Sequence, residues 1–470
     1  MLFILCIFMT LPVILLAGVP IENASAFSQP AMGIFLVGLA GILISRNQPR
    51  YLKPRYMFVL TVNVWVVVSL LAAIPFYQSS LQLSWTDAIF ESISGITTTG
   101  STVLSGLDNM APEILIWRSI LQWLGGIGII GMFVAVLPFL GIGGMRLFAT
   151  ESSEWTDKEL PRMKSLGRGL LLIYSFFTFS CAMVYWFSGM SLFDAVNHAL
   201  TTLSTGGYST SDMSMGKFES DLLLFESTFF MMLGGLPFFL FVRELHGQHG
   251  VLLRDQQVKA FLSFLLLVTT LLTLHRCYVQ PDIEPFSAFA AVLFNVTSVV
   301  TTTGYASEDY SLWGPLAYTA FLFLTFVGGC SGSTSGGMKI FRFQLSFMAL
   351  REQLTRLIHP RAVLTRNYNG RPVSDAIITS LIAYGFVFVF CLLVMTLALA
   401  SLGLDFMTSL TGSLTALTNV GPGLGDVIGP AGNFQTLPDA AKWILTAGML
   451  MGRLELLSVI VLFSPVFWRN

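Results

Sequence analysis

Thr97-Thr98-Thr99-Gly100-Ser101-Thr102 is the stretch on which the fold turns, because the chain holds three more like it. They are Leu203-Ser204-Thr205-Gly206-Gly207-Tyr208, Thr301-Thr302-Thr303-Gly304-Tyr305 and Thr418-Asn419-Val420-Gly421-Pro422-Gly423. Aligned on Gly100, Gly206, Gly304 and Gly421, the copies stand about 106, 98 and 117 residues apart, an internal period of membrane-protein size. Each closes a segment too short to cross a bilayer and lies between two longer apolar runs. Two further features keep this register. The first two short segments open with Ser84-Trp85-Thr86-Asp87 and Ser191-Leu192-Phe193-Asp194, S-x-x-D starts that predict a capped helix N-terminus; the fourth opens near Asp405 and the third at Pro285. The apolar run after each carries small residues at a matching place: Gly125-Gly126, Gly234-Gly235, Gly328-Gly329, and Gly448 with Gly452. Such glycines let helix backbones approach closely or bend.

Working outward, 54% of the 470 residues are hydrophobic and only 11% charged, with a mean hydropathy of +0.74. A water-soluble globule of that balance would lack a polar coat, so the bilayer is the natural solvent. The net charge of −1 argues against a nucleic-acid partner, and the five scattered cysteines show neither a disulfide framework nor zinc-site spacing. Spanning candidates are residues 1–19, 30–45, 56–77, 113–140, 169–188, 221–242, 258–279, 313–330, 374–402 and 440–465. The first ends near Ala24-Ser25-Ala26, which resembles a signal cleavage site, but no Lys or Arg precedes it; it reads as a retained helix. Twenty of the 25 Lys and Arg residues sit in alternate loops and at the C-terminus, which the positive-inside rule places in the cytoplasm. The opposite loops carry Asp87, Asp194, Asp282, Glu284, Glu308, Asp309, Asp405 and Asp426, an acidic outer face that attracts cations.

The expected architecture is an all-α polytopic membrane protein. Four pseudo-symmetric span–pore helix–span repeats surround one pore, and two extra helices precede them. The divisions are 1–50 (helix pair), 51–145, 146–243, 244–345 and 346–470. Irregular backbone at membrane depth survives only where it lines protein or an aqueous cavity. A short helix that enters from outside and points its C-terminus inward aims the negative end of its dipole at the centre. The glycine lets the next carbonyls turn toward an axis, and four such loops replace the hydration shell of a cation. The expected carbonyl donors are Thr98, Thr99 and Gly100; Ser204, Thr205 and Gly206; Thr302, Thr303 and Gly304; and Asn419, Val420 and Gly421.

On ITTTGST (Ile96–Thr102), STGGYS (Ser204–Ser209), TTTGYA (Thr301–Ala306), NVGPGLG (Asn419–Gly425) and GGCSGSTSGGMK (Gly328–Lys339), the chain resembles the Trk/Ktr/HKT superfamily of K⁺ transporters. Within it, the resemblance is to the TrkH/TrkG-type membrane subunits and covers nearly the whole chain. It implies K⁺ as the transported ion, with no covalently bound cofactor, in the bacterial cytoplasmic (inner) membrane. It also implies a homodimer with one pore per subunit and a cytoplasmic nucleotide-binding gating ring of the TrkA/KtrA type. In that family glycine at all four filter positions goes with K⁺ preference, and serine at the first with Na⁺ in plant relatives, so Gly100 argues for K⁺. The fourth filter departs most: Val420 replaces a hydroxyl and Pro422 stiffens the backbone beyond Gly421, which suggests a weaker or asymmetric outer site.

Gly328-Gly329-Cys330-Ser331-Gly332-Ser333-Thr334-Ser335-Gly336-Gly337 cannot hold a helix well and predicts an irregular loop below the filter. The resemblance makes it a gate, formed by Gly328, Gly329, Ser331, Gly332, Gly336 and Gly337; the alternative is a plain helix end at the cytoplasmic face. Arg453 lies inside the last span, where a charge is expensive and normally functional. It is expected to face the pore below the filter and repel cations, or else to pair with Glu455 or Glu91. Arg118 and Glu91 are expected to form a structural pair, and His198 to be a packed residue. The basic stretch Lys339–Arg371 suits anionic headgroups or a regulatory partner, and no nucleotide-binding motif occurs in the chain. Two other functions compete. Gly329-Cys330-Ser331-Gly332 matches the GxSG of intramembrane serine proteases, which requires a histidine facing the serine. A symporter coupled to H⁺ or Na⁺ with broken helices is the other.

Overall fold

The computed structural model describes residues 1–16, 22–46, 54–135, 160–362 and 364–469. The divisions expected at 50/51 and 145/146, and with them Arg50, Lys53, Arg146 and Lys158, lie outside the described residues. The N-terminal pair, α1 (Leu2–Leu15) and α2 (Ala24–Ser45), packs side by side. The first repeat comprises α3 (Pro54–Ala72), α4 (Ile74–Gln78), the pore helix α5 (Trp85–Ile96) and α6 (Pro112–Ala135), on which α1 also rests. The second has α7 (Leu160–Phe187), the pore helix α8 (Leu192–Leu203), α9 (Asp221–Gly235) and α10 (Phe238–Leu245), followed by the short α11 (Val251–Arg254). The third has α12 (Gln256–Val279), the pore helix α13 (Pro285–Val300), α14 (Pro315–Val327) and α15 (Ile340–Ile358). An antiparallel hairpin, β1 (Asn367–Tyr368) and β2 (Arg371–Pro372), leads into the fourth. That repeat holds α16 (Asp375–Ser401), the pore helix α17 (Phe406–Thr418), α18 (Asp439–Arg453), α19 (Leu456–Ile460) and α20 (Pro465–Arg469).

The distribution of polarity is that of a chain dissolved in lipid. Phe176, Phe179, Leu266 and Phe386 stand exposed on α7, α12 and α16, while Thr98, Ser204, Thr302 and Asn419 are fully buried. With hydrocarbon outside, apolar side chains face outward and polar groups satisfy one another inside. Each pore helix starts as its sequence predicts. Ser84 accepts from the Asp87 amide at 3.1 Å and Ser191 from Asp194 at 3.0 Å. Asp405 accepts from Thr408 at 3.0 Å, and Pro285 occupies the first turn of α13, where a missing N–H costs nothing.

The second spans differ from straight spans. Among the described residues six helices are long and apolar enough to cross, and two bent pairs make eight if each is one span: α9 with α10 at 88°, and Asp439–Arg453 with Leu456–Phe463 at 109°. The runs 221–242 and 440–465 are therefore broken rather than continuous, and 313–330 ends early, at Val327. Each break has a local cause. Leu236, extended at φ −91° and ψ 157°, precedes Pro237, which disfavours helical geometry before it. Gly328 (φ 76°) and Glu455 (φ 64°) are left-handed. α1 is likewise shorter than the run that predicts it.

Candidate functional site: a four-loop filter and the loop beneath it

Beyond each pore helix the backbone alternates in hand. Thr98 (φ 51°) precedes Gly100 (86°), Thr205 (49°) precedes Gly207 (76°), Thr302 (58°) precedes Gly304 (81°), and Asn419 (57°) precedes Gly421 (110°). The residue between them donates back to the pore helix in every copy: Thr99 to Ser94 O at 2.9 Å, Gly206 to Thr201 O at 2.9 Å, Thr303 to Ser298 O at 2.8 Å and Val420 to Thr415 O at 3.2 Å. These bonds set the register and correct the sequence alignment. The structural counterpart of Gly100 is Gly207, not Gly206, which corresponds to Thr99. Two adjacent glycines leave that choice open in sequence; only backbone hand decides it. Left-handed backbone costs a β-branched residue about 1–2 kcal/mol, and the site holds three such threonines.

The four loops close on one another. A side-chain carbon added at Gly100 would run into the carbonyl oxygen of Gly206, one at Gly207 into that of Thr303, and one at Gly304 into that of Val420. One at Gly421 would lie 2.7 Å from the carbonyl oxygen of Thr99. Each glycine thus abuts the next repeat's carbonyl, and the fourth returns to the first. Alternating hand is the geometry that can turn successive carbonyls to one side, and a ring of such oxygens is a way to replace a cation's hydration shell.

The residue after each glycine ties its loop to the preceding repeat. Tyr208 Oη donates to Glu91 O at 2.9 Å, and Tyr305 Oη lies 2.5 Å from Thr201 Oγ1 and donates to His198 O at 3.1 Å. Ser101 Oγ donates to Gly421 O at 2.9 Å, and the Pro422 ring packs beside Gly304. This buttress is absent from the sequence reading, and its signal is the tyrosine that follows the glycine in two copies. Gln122 is missed as well: its Nε2 donates to Gly206 O at 2.6 Å and its Oε1 accepts from Tyr208 N at 3.0 Å. The hydroxyls lie behind the ring. Thr97 bonds Thr99 and Thr301 bonds Thr303, each at 2.8 Å, while Val420 sits in an apolar cluster with Val300 and Leu424. The substitution at Val420 therefore alters the rear packing, and Asn419 Nδ2 compensates by donating to Thr99 Oγ1 at 2.9 Å.

The TrkH cation transport protein family model matches residues 26–469. Relatives include the Trk system potassium uptake protein TrkI of Halomonas elongata, 51% identical over 99% of this chain and 95% of its own length. The Trk system potassium uptake protein TrkH of Escherichia coli is 36% identical over 95% and 92%. The crystal structure of the potassium transporter TrkH from Vibrio parahaemolyticus superposes with a TM-score of 0.92 at 32% identity, covering 100% of this chain and 97% of that one. This chain belongs to the TrkH family. It is a multi-pass membrane transporter and not an enzyme. The protease reading gains nothing from two of its candidate histidines: His198 is held by Asp194 O at 2.8 Å and Ser209 Oγ at 3.0 Å, and His246 by Val242 O at 2.7 Å.

Below the ring of this TrkH-family chain the 328–337 loop is not a plain helix end. Gly336 N donates to Thr302 Oγ1 at 2.6 Å and Gly337 N to Thr418 O at 2.8 Å. Thr334 Oγ1 donates to Leu203 O at 3.1 Å and to Gly234 O at 2.9 Å, and Cys330 N to Gly235 O at 2.9 Å. The loop touches the undersides of filters 2, 3 and 4 and fills the angle opened where α9 breaks. Gly328, Gly329, Ser331, Gly332, Gly336 and Gly337 all lie in this segment. A side-chain carbon at Gly336 would strike Thr418 O, so close approach demands glycine there.

Five basic residues fall outside the cytoplasmic set: Arg118, Lys217, Arg276, Lys442 and Arg453. Four are paired, Arg118 with Glu91 at 2.7 Å, Lys217 with Asp108 at 3.0 Å, Arg276 with Glu308 at 2.7 Å and Lys442 with Asp87 at 2.6 Å. Arg453 alone of the five has no ion pair among the described residues. Glu455 and Glu91 are taken by Arg342 and Arg118, which removes the pairing alternative. Arg453 is 3% exposed; Nη1 donates to Thr334 O at 2.8 Å, and Nε and Nη2 have no hydrogen-bond partner among the described residues. It borders a cavity of about 20 Å³ with Lys339, Ser333, Ser335, Gly336 and the Arg342-paired Glu455, room for about one water. Lys339 Nζ donates to Ser335 O, so two cations flank the loop.

Proposed function

We propose that this chain takes up K⁺ across the bacterial cytoplasmic membrane through the ring at Thr99, Gly206, Thr303 and Val420, with Thr98, Thr205, Thr302 and Asn419 below it. The closed cycle of glycine-to-carbonyl contacts carries this reading, since it needs four loops in register and suits a dehydrated monovalent cation; the potassium named for the relatives supplies the ion. The 328–337 loop, seated against the filter's underside, acts as the gate. Arg453 adds a positive charge with no ion-pair partner among the described residues, raising the barrier to a cation at that level. The basic face of α15 and the segment after it suits a cytoplasmic regulatory subunit of the TrkA/KtrA type, and the family resemblance supports a homodimer.

The test is uptake of K⁺, Rb⁺ and Na⁺ by K⁺-uptake-deficient cells expressing the chain, beside Gly100→Ser. K⁺ and Rb⁺ are expected to enter in preference to Na⁺, and Gly100→Ser to lose both preference and rate. Equal Na⁺ and K⁺ uptake by the unaltered chain sinks the selectivity claim. Uptake that tracks an imposed H⁺ or Na⁺ gradient marks a coupled symporter instead.

A further inference from the structure

One tie of the gating loop leads from Ser331 to the start of α12. Ser331 N donates to Gln257 Oε1 at 2.5 Å. Gln257 is fully buried in the first turn of α12, and its Nε2 has no hydrogen-bond partner among the described residues. Its own amide donates to Asp255 Oδ1 at 2.8 Å, the N-cap of that helix. The other oxygen of the same carboxylate, Oδ2, accepts from Asn369 Nδ2 at 2.8 Å. Asn369 also accepts from Gln256 N at 2.9 Å through its side chain and donates its amide to Gln256 Oε1 at 3.3 Å.

Asn369 is the tip of the cytoplasmic hairpin. Asn369 (φ 49°) and Gly370 (φ 76°) are both left-handed, the pair of residues that a tight two-residue hairpin turn requires. The hairpin is held at its base as well as its tip. Arg366 binds Glu352 of α15 and, at 2.6 Å, Asp375 at the start of α16. Tyr368, 3% exposed, donates to Gln344 Oε1 at 2.6 Å, and Gln344 Nε2 donates to Gln256 O at 3.0 Å. A hairpin clamped to two helices therefore grips the residues on either side of the α12 start, one peptide from a side chain that holds the gating loop.

We propose that Gln257 is a positioning residue that latches the loop shut, and that the 367–372 hairpin is the cytoplasmic handle acting on it through Asp255 and Gln256. The inference rests on the gate reading of residues 328–337. Displacing the tip frees one Asp255 oxygen, lets the first turn of α12 shift and lengthens the bond to Ser331. A single neutral hydrogen bond changes an equilibrium by about three- to tenfold, enough to bias a gate without dismantling it.

The full-length chain in proteoliposomes is measured for Rb⁺ flux and, in the same preparations, for amide hydrogen exchange across residues 328–339. Gln257→Leu is expected to raise flux about three- to tenfold and to speed exchange at Ser331, with the preference for Rb⁺ over Na⁺ unchanged. Gln257→Glu is expected to restore both, because a carboxyl in either protonation form keeps an acceptor oxygen. Asn369→Ala is expected to shift both in the same direction by less, and to add nothing to Gln257→Leu. If Gln257→Leu does not fold, the exposed Asn369 carries the test alone. The latch is overturned if a variant lacking Ser333–Ser335 conducts faster than the unaltered chain while the Gln257 and Asn369 variants neither conduct nor exchange differently. If the shortened loop also leaves flux unchanged, the gate reading has failed and the latch falls with it.

Discussion

At the scale of single residues, the filter is governed by backbone hand more than by side-chain identity. Gly206 and Gly207 make the point, being adjacent, identical and unequal. Gly207 is left-handed and faces the Thr303 carbonyl, whereas a side chain at Gly206 would meet the Gln122 carboxamide, a side-chain end whose two bonds to the loop would have to shift. Gly207→Ala is therefore expected to reduce Rb⁺ uptake about tenfold or more, from about 1–2 kcal/mol of left-handed strain plus the clash, and Gly206→Ala to reduce it less. Uptake rates normalised to membrane abundance decide this; equal losses would return the register to the one read from sequence. Arg453 is the second residue whose environment matters more than its type. Two like unit charges about 10 Å apart at an effective dielectric near 20 repel by about 1.7 kcal/mol, which corresponds to roughly tenfold in rate. Arg453→Ala is expected to raise cation flux by about that factor. Unchanged or lower flux at normal abundance would mean that the side chain serves chiefly to hold the Thr334 carbonyl.

At the scale of elements, pore helices and second spans divide the labour. The pore helices end where their caps and small residues direct, and are secured from behind. Arg118 of α6 donates to Glu91 of α5 at 2.7 Å and to Ser209 O at 3.1 Å, and its guanidinium stacks over Tyr208 at 4.1 Å. One side chain thus joins pore helix 1 to filter 2. Removing one member of a buried pair leaves the other charge uncompensated, at a cost of about 3–5 kcal/mol. Arg118→Met is expected to lower the detergent-solubilised protein's unfolding temperature by several degrees and to blunt ion preference; a double variant with Glu91→Leu is expected to recover part of the stability. Thermal unfolding followed by tryptophan fluorescence reads the first effect, and no loss of stability would show the pair to be dispensable. In the second spans, glycines that let helices approach also mark where the helices fail. Gly125 and Gly452 lie against the last carbonyls of their pore helices, Ile96 and Leu417, and Gly234 lies against Leu203 O. In repeat 1 the helix continues past this point, while in repeats 2, 3 and 4 it breaks. On the cytoplasmic side, the Arg366 guanidinium holds the Glu352 carboxyl below its usual range, so this clamp stays ionised through neutral pH and weakens only on acidification.

At the scale of the whole molecule, all four glycine-to-carbonyl contacts and all four post-glycine ties run within one chain. The ring is complete without a second copy, so a pairing of subunits would place two independent pores side by side. Co-expressing the unaltered chain with a transport-dead Gly207 variant is therefore expected to give uptake proportional to the unaltered fraction. A steep, dominant loss would show instead that subunits share a conducting path.

Much of this was legible in the residues themselves. Period, polarity, capped pore-helix starts and the basic-loop asymmetry depend on local chemistry and on the solvent the chain meets, and those are written in composition and spacing. Thr97–Thr102 and its three copies announced four loops, and ten small residues at 328–337 announced a segment that no helix would keep. Tertiary structure alone decided which of Gly206 and Gly207 faces the ring, that Glu91 and Glu455 are spoken for and Arg453 has no ion pair among the described residues, and that Gln257 reaches Ser331. Each of these depends on which backbone groups from distant parts of the chain arrive within hydrogen-bond distance, and a sequence motif carries no such information until the four repeats close around their axis.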